Sequence, residues 1–220
     1  MSTYDSVLFD NDGVLVEPPA RDSQIDAVCA AFEDVGIDEF DRRDAEALVR
    51  NVTVERLEKL AARYSLDAET LWSARERHDE RVQLTQFKAG ERGPYTDVTA
   101  LSRLSQPRGV VSNNHHTTVA FVLDFFELRP LFETYYGRPM TIESLERKKP
   151  NTYFLERAVD DLDATATLYV GDAESDVKAA HRLGVDSAFV RRAHNRDISL
   201  SVEPTYEVDS LHDLVDVVIE

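Results

Sequence analysis

The stretch Ser6-Val7-Leu8-Phe9-Asp10-Asn11-Asp12-Gly13 decides how the rest of the chain is read. A short apolar run ends in an acid, a glycine turn follows, and Val14-Leu15 adds a second apolar pair. This pattern predicts a buried strand that delivers Asp10 to its carboxyl end. Two carboxylates at i and i+2 beyond a strand face one pocket if the backbone turns, and Gly13 permits that turn. In such a pocket an ionised carboxylate attacks an electrophile while a protonated one donates to a leaving group. Their like charges push the two proton affinities apart, which suits that division. Asp, Asn and Gly are also common turn formers, so the tetrapeptide does not settle the function by itself.

Downstream, Pro18 and Pro19 break the pattern, and residues 21 to 84 carry almost only helical periodicity. Ile25, Val28, Cys29 and Phe32 recur at i, i+3, i+4 and i+7, as do Val54, Leu57, Leu60, Ala61 and Tyr64. A third helix is expected around Leu66, Leu71 and Trp72, with the charged run from Arg75 to Arg81 mostly solvated. Cys29 and Trp72 read as helix core. After Gly90, Gly93 and Pro94, helix and strand alternate as in an open α/β sheet. Val98, Leu101 and Leu104 mark a helix, and RGVVS at 108–112 a strand. Two more helical stripes follow, Val119, Val122, Leu123 and Phe126, then Leu155, Ala158, Val159 and Leu162. TLYVG at 167–171 is a strand, and Val177, Ala180 and Leu183 mark a helix stopped by Gly184. Ser187–Val190 and Thr205–Val208 supply late strands. The expected organisation is an α/β core of residues 1–16 and 91–220, with residues 17–90 a helical insert above the carboxyl ends of the strands, where such sheets bind ligands.

The chain has 220 residues, 42 acidic against 25 basic, a net charge of −17 and 42% hydrophobic residues. The apolar content excludes a disordered acidic tail. The charge disfavours phosphate backbones and anionic membranes, so neither a nucleic-acid nor a membrane partner is expected. Only five of the basic residues are lysine. That bias resembles proteins of salt-accumulating, halophilic microbes; an acidic protein from an arginine-rich genome is the plainer alternative. A lone cysteine excludes an internal disulfide. With no basic leader and no long apolar run, a soluble, cytoplasmic protein is expected.

Three further clusters sit at predicted strand ends. Ser112 and Asn113 close the 108–112 strand, where a hydroxyl and nearby N–H groups suit a phosphoryl oxygen; a capping role is the simpler alternative. Lys148-Lys149-Pro150 spends two of five lysines in one place, and a lysine there offsets charge on phosphate and carboxylate. Gly171-Asp172-Ala173-Glu174-Ser175-Asp176 follows the TLYV strand. Asp172 and Asp176, with Glu174 a further candidate, offer hard oxygen donors that converge with Asp10 on Mg²⁺ rather than zinc. Together these clusters point to phosphoryl chemistry, with Asp10 attacking phosphorus and Asp12 protonating the departing alcohol.

The set resembles the haloacid dehalogenase-like hydrolase superfamily, in particular its phosphoglycolate phosphatase-like and sugar phosphatase branch. The Asp-x-Asp-Gly pattern matches Asp10 to Gly13, the strand-terminal hydroxyl Ser112, the lysine before proline Lys149, and the final acidic loop Asp172 and Asp176. The resemblance spans residues 6 to 192 and implies a Rossmann-like parallel-sheet core with an inserted α-helical cap. It further implies an aspartyl-phosphate on Asp10 and hydrolysis assisted by Asp12. Mg²⁺ would be held by Asp10, Asp172 and the Asp12 main-chain carbonyl, with Asp176 in support, and phosphate by Ser112, Asn113 and Lys149. Asn11 departs from the apolar residue usual between the two aspartates. Asn114 is a candidate substrate contact. The expected substrate is a small phosphorylated metabolite, and the chain a monomer or homodimer. A sugar phosphomutase and a non-enzymatic phosphoacceptor module are the alternatives; the acid at Asp12 and the insert argue against the latter. His78, His181, His194 and His212 show no metal-ligand spacing.

Overall fold

The computed structural model describes residues 3–219. Six parallel strands form one sheet in the order β3-β2-β1-β4-β5-β6. They are β1 (Ser6–Phe9), β2 (Arg108–His115), β3 (Thr134–Arg138), β4 (Thr167–Gly171), β5 (Asp186–Val190) and β6 (Tyr206–Val208). The chain winds outward from β1 in one direction and from β4 in the other. This is the doubly wound, Rossmann-like order, with the reversal falling between β1 and β4.

Strand β1 lies between β2 and β4 and is covered on both faces, which is why it reads as an unbroken apolar run. Val7 and Phe9 join a core with Val110, Leu168 and Val170, closed by α5 (His116–Phe125) and α8 (Leu211–Ile219). Leu8 points to the opposite face, where Val111 and Tyr169 pack with Phe154, Leu155 and Ala158 of α6 (Tyr153–Asp161) and Ala179 and Ala180 of α7 (Glu174–Leu183). The α/β unit comprises the chain up to Pro18, Gly93–Arg138 and the chain from Arg147 onward.

A second unit comprises Pro19–Arg92 with Pro139–Glu146. It holds α1 (Arg21–Asp34), α2 (Arg42–Ala47), α3 (Val54–Arg63) and α4 (Ala68–Ala89). Val28, Phe32, Leu48, Leu57, Leu71 and Trp72 form its core, joined by Ile142 and Leu145 from a segment that the sequence pattern placed with the α/β part.

Three features refine or correct the sequence reading. The Val98–Leu104 stripe is helical as expected, and the helix is of the 3-10 type, Thr96–Arg103. Its apolar residues recur at strict intervals of three, which fits three residues per turn better than 3.6. The edge strand β3, Thr-Tyr-Tyr-Gly-Arg, had no apolar run to announce it, and its first three residues are only half-buried. The charged run on α4 is not mostly solvated: Arg75, Glu76, His78 and Asp79 are buried, whereas Arg77 and Arg81 are exposed. Arg75 lies 2.6 Å from Glu76 and 3.3 Å from Asp79, and its Nε donates to the Leu48 carbonyl. Arg75 thus stands between two buried carboxylates and offsets charge on both.

After β5, Arg192 ties the α/β unit together, making two contacts of 2.7 and 3.0 Å with Asp97 and donating to the Val14 carbonyl. Asp97 also accepts the Leu211 N–H at the start of α8. Burial alone would raise the Asp97 pKa, but the Arg192 and Leu211 hydrogen bonds outweigh it and hold the carboxyl below its usual value. Asp97→Ala leaves Arg192 buried without its partner and is expected to cost about 3–5 kcal/mol at neutral pH. A lowered folded pKa contributes stability above the unfolded value and loses it as pH falls through the folded value. The gap between wild type and variant, measured by urea unfolding across pH, should therefore hold at neutral pH and close on the acid side. A gap independent of pH would contradict this assignment.

Candidate active site

Strand register brings the acids together. Phe9 pairs with Val110 on one side and Val170 on the other, so Asp10, Ser112 and Asp172 all emerge at the carboxyl edge beside the winding reversal. The loop after β1 is closed by the Asn11 carbonyl, which accepts the N–H groups of Leu15 and Val16. Gly13 is required there twice over: its φ is +81°, and a Cβ would overlap the Asp172 carboxylate. Gly171 is required by close approach, since a Cβ would overlap the Asp176 side chain.

Asp10, Asp172 and Asp176 each offer a carboxylate oxygen within 4.8 Å of the others. Lys149 compensates this charge. Its Nζ lies 2.9 Å from Asp10 Oδ2 and 2.8 Å from Asp176 Oδ1, and donates to the Val111 carbonyl and the Tyr169 hydroxyl. The side chain is 3% exposed. Burial opposes the ammonium, but Asp10 and Asp176 outweigh it and hold Lys149 well above the usual lysine range. Burial likewise raises Asp176; Lys149 opposes that rise and the neighbouring carboxylates add to it, leaving its pKa at about 7. Asp172 is raised by burial too, against the lowering effect of His194.

The remaining candidates divide clearly. Ser112 is buried, and its Oγ accepts the Asn114 N–H at 3.2 Å. The Asn113 amide grips the Lys149 main chain, accepting its N–H at 2.7 Å and donating to its carbonyl at 3.3 Å. Asn113 thereby sets where Lys149 sits. Asn114 donates to Asp12 Oδ2 at 2.7 Å. Asp12 is half-buried, and its carboxylate is not among the three that converge. Glu174 does not join them either: it pairs with Lys178 on the next turn of α7 and accepts from Ser201. Lys148 is not in the buried cluster. Asn11 is fully buried, and neither polar atom of its amide has a partner among the described residues; nothing in the structure explains that choice.

Two features escaped the sequence reading. Tyr169 is a polar-tipped residue in the middle of a buried strand, a signal for a hydroxyl with an assigned partner; it donates to the Val111 carbonyl beside Lys149. His194 lacks ligand spacing, yet its Nε2 lies 2.6 Å from Asp172 Oδ2, and the adjacent Asn195 donates to the Asp172 carbonyl. No local motif foreshadows this contact, which depends on the turn after β5.

The donor set fits a hard divalent cation. Three clustered carboxylates, two with raised proton affinity, carry more negative charge than one ammonium offsets, and oxygen donors of this kind suit Mg²⁺.

The sequence model of the haloacid dehalogenase-like hydrolases matches residues 7–190. Among solved structures, CbbY from Rhodobacter sphaeroides in complex with phosphate is similar over 96% of both chains, with 19% identity and a TM-score of 0.71. A CbbY mutant in complex with xylulose-(1,5)bisphosphate gives the same coverage, identity and TM-score. A predicted phosphoglycolate phosphatase from Haemophilus somnus is similar over 99% of both chains, with 19% identity and a TM-score of 0.69. No curated protein matches the chain.

Removing the compensating charge tests the electrostatics of the site. Lys149→Met is expected to lower the unfolding free energy in chelator by about 3–5 kcal/mol, as when one partner of a buried ion pair is deleted. Added Mg²⁺ should narrow the gap, because the acids gain a substitute cation and the competing ammonium is gone. Urea unfolding with and without Mg²⁺ measures both; a gap that Mg²⁺ leaves unchanged would contradict the placement of the cation among these acids.

Proposed function

Because the chain belongs to the haloacid dehalogenase-like hydrolase family, we propose that it is a Mg²⁺-dependent phosphomonoester hydrolase acting on a small phosphorylated metabolite through an aspartyl-phosphate on Asp10. The observation that carries this reading is the buried Lys149 bridging Asp10 and Asp176 at the carboxyl edge of the sheet. An ammonium in that position orients the Asp10 carboxylate as a nucleophile and offsets charge on an incoming phosphoryl group.

Asp10, Asp172 and Asp176, with the Asp12 main-chain carbonyl, would hold the cation. When bound, it neutralises phosphoryl charge and polarises the phosphorus–oxygen bonds. The chain's own residues do the rest. Ser112 and Lys149 bind phosphoryl oxygens, and Asn113 fixes Lys149 from behind. An Asp10 oxygen bonds to phosphorus as the bond to the alcohol breaks, and Asp12 gives the alcohol its proton. Water then attacks phosphorus, Asp12 takes a proton from it, and Asp10 leaves as a carboxylate. The helical unit serves as a cap, residues 17–90 in the sequence division, whose side chains select the substrate. Phosphorylated sugars and phosphorylated short acids, the compounds named for the structural relatives, are the first classes to assay. The oligomeric state, monomer or homodimer, does not alter this chemistry. The acidic, lysine-poor surface suits a salt-rich cytoplasm.

Phosphate release from a panel of such compounds is expected to require Mg²⁺, and Asp10→Asn should reduce turnover by at least about 10³-fold. Robust turnover by Asp10→Asn would eliminate the covalent route. Isomerised sugar phosphate in place of free phosphate would identify a phosphomutase instead.

A further inference from the structure

The contact between Asn114 and Asp12 has no part in the scheme above. Strand β2 pairs regularly with β3 up to Val111 and Tyr136, but the next partners are His115 and Arg138. Four steps along β2 thus match two along β3, and irregularities of this kind re-aim side chains. Here the irregular stretch turns Asn114 toward the loop after β1. The amide is fixed at both ends. The His115 N–H donates to Oδ1 at 2.8 Å. A backbone N–H only donates, so that atom is the oxygen, and the NH₂ group necessarily faces Asp12 Oδ2 at 2.7 Å. The Asn114 main-chain N–H, in turn, donates to Ser112 Oγ. One residue therefore links the phosphate-side hydroxyl to the proton carrier.

We infer that Asn114 is a positioning residue that holds the Asp12 carboxylate for the hydrolysis of the phosphoenzyme. This rests on the reading of Asp10 as nucleophile and Asp12 as proton carrier. The two steps depend on Asp12 unequally. In the first, the leaving oxygen is covalently part of a bound substrate. In the second, the attacking water is oriented chiefly by the carboxylate that takes its proton, so a loosened Asp12 slows the second step most.

p-Nitrophenyl phosphate isolates that step, because its leaving group departs as a phenolate without a proton from Asp12. An Asp10–phosphorus bond forms as the bond to nitrophenolate breaks. The water oxygen then bonds to phosphorus, its proton passes to Asp12, and the Asp10–phosphorus bond breaks. Slowing only this second half lowers kcat and KM together and preserves kcat/KM. For Asn114→Ala, kcat should fall about 10- to 100-fold, with KM falling in step and kcat/KM held within roughly three-fold. Phosphoenzyme trapped by acid quench at steady state should rise. Asn114→Leu, which keeps the side-chain shape without a donor or an added charge, should show the same signature if Asn114→Ala folds poorly. A fall in kcat/KM with KM unchanged or raised, in the folded variants, would overturn the positioning role. Wild-type turnover without any phosphoenzyme would instead overturn the Asp10 reading, and this inference with it.

Discussion

The arrangement of the site depends on one buried ammonium. Lys149 sits among Asp10, Asp176, the Tyr169 hydroxyl and the Val111 carbonyl, nearly sealed from water. Without a cation there, adjoining carboxylates just beyond β1 and in the first turn of α7 would face each other in a medium that screens poorly. Several choices elsewhere follow from this constraint. Tyr169 carries a hydroxyl in the middle of a buried strand, where a buried ammonium needs acceptors. Asn113 spends both ends of its amide on the Lys149 main chain. Glycines stand at 13 and 171 because the acids approach the backbone too closely for a Cβ.

The same constraint gives the net charge of −17 a different meaning inside the fold. An acidic protein repels the anionic substrate proposed for it, so the potential must be reversed locally. Three carboxylates and one ammonium do not achieve that alone; a divalent cation among the carboxylates would cancel the charge that remains. On the proposed reading, chemistry belongs to the few acids at strand ends and not to the exterior charge. The helical unit follows its own rule, with Arg75 set between the buried carboxylates of Glu76 and Asp79 on α4.

What was legible in the sequence was what local pattern encodes. The central strands β1 and β4, buried on both faces, read as apolar runs, and the acids just beyond them were visible for that reason. Edge strand β3 has no such run, because its first three residues are only half-buried. The stripe at Val98, Leu101 and Leu104 was recognised as a helix, and its three-residue spacing is that of the 3-10 helix found. Composition misled at Arg75–Asp79, since a charged run looks solvated unless its partners are known. Glu174 looked like a ligand from its place in the acidic loop, yet pairing with Lys178 and Ser201 draws it elsewhere. The contacts of His194 with Asp172 and of Asn114 with Asp12 join residues 22 and 102 positions apart. Only the sheet order brings such residues together, and no local pattern encodes it.

The most direct test of the central claim, that Lys149 and its carboxylates present Asp10 as a nucleophile toward phosphorus, is to find where the phosphoryl group goes. The enzyme would be mixed with Mg²⁺ and a turned-over phosphomonoester, quenched in acid, digested and mapped by mass spectrometry. The account predicts a labile acyl phosphate on the peptide containing Asp10, absent from Asp10→Asn. Phosphate release with no modification of that peptide, or a stable phosphate on Ser112 instead, would contradict it.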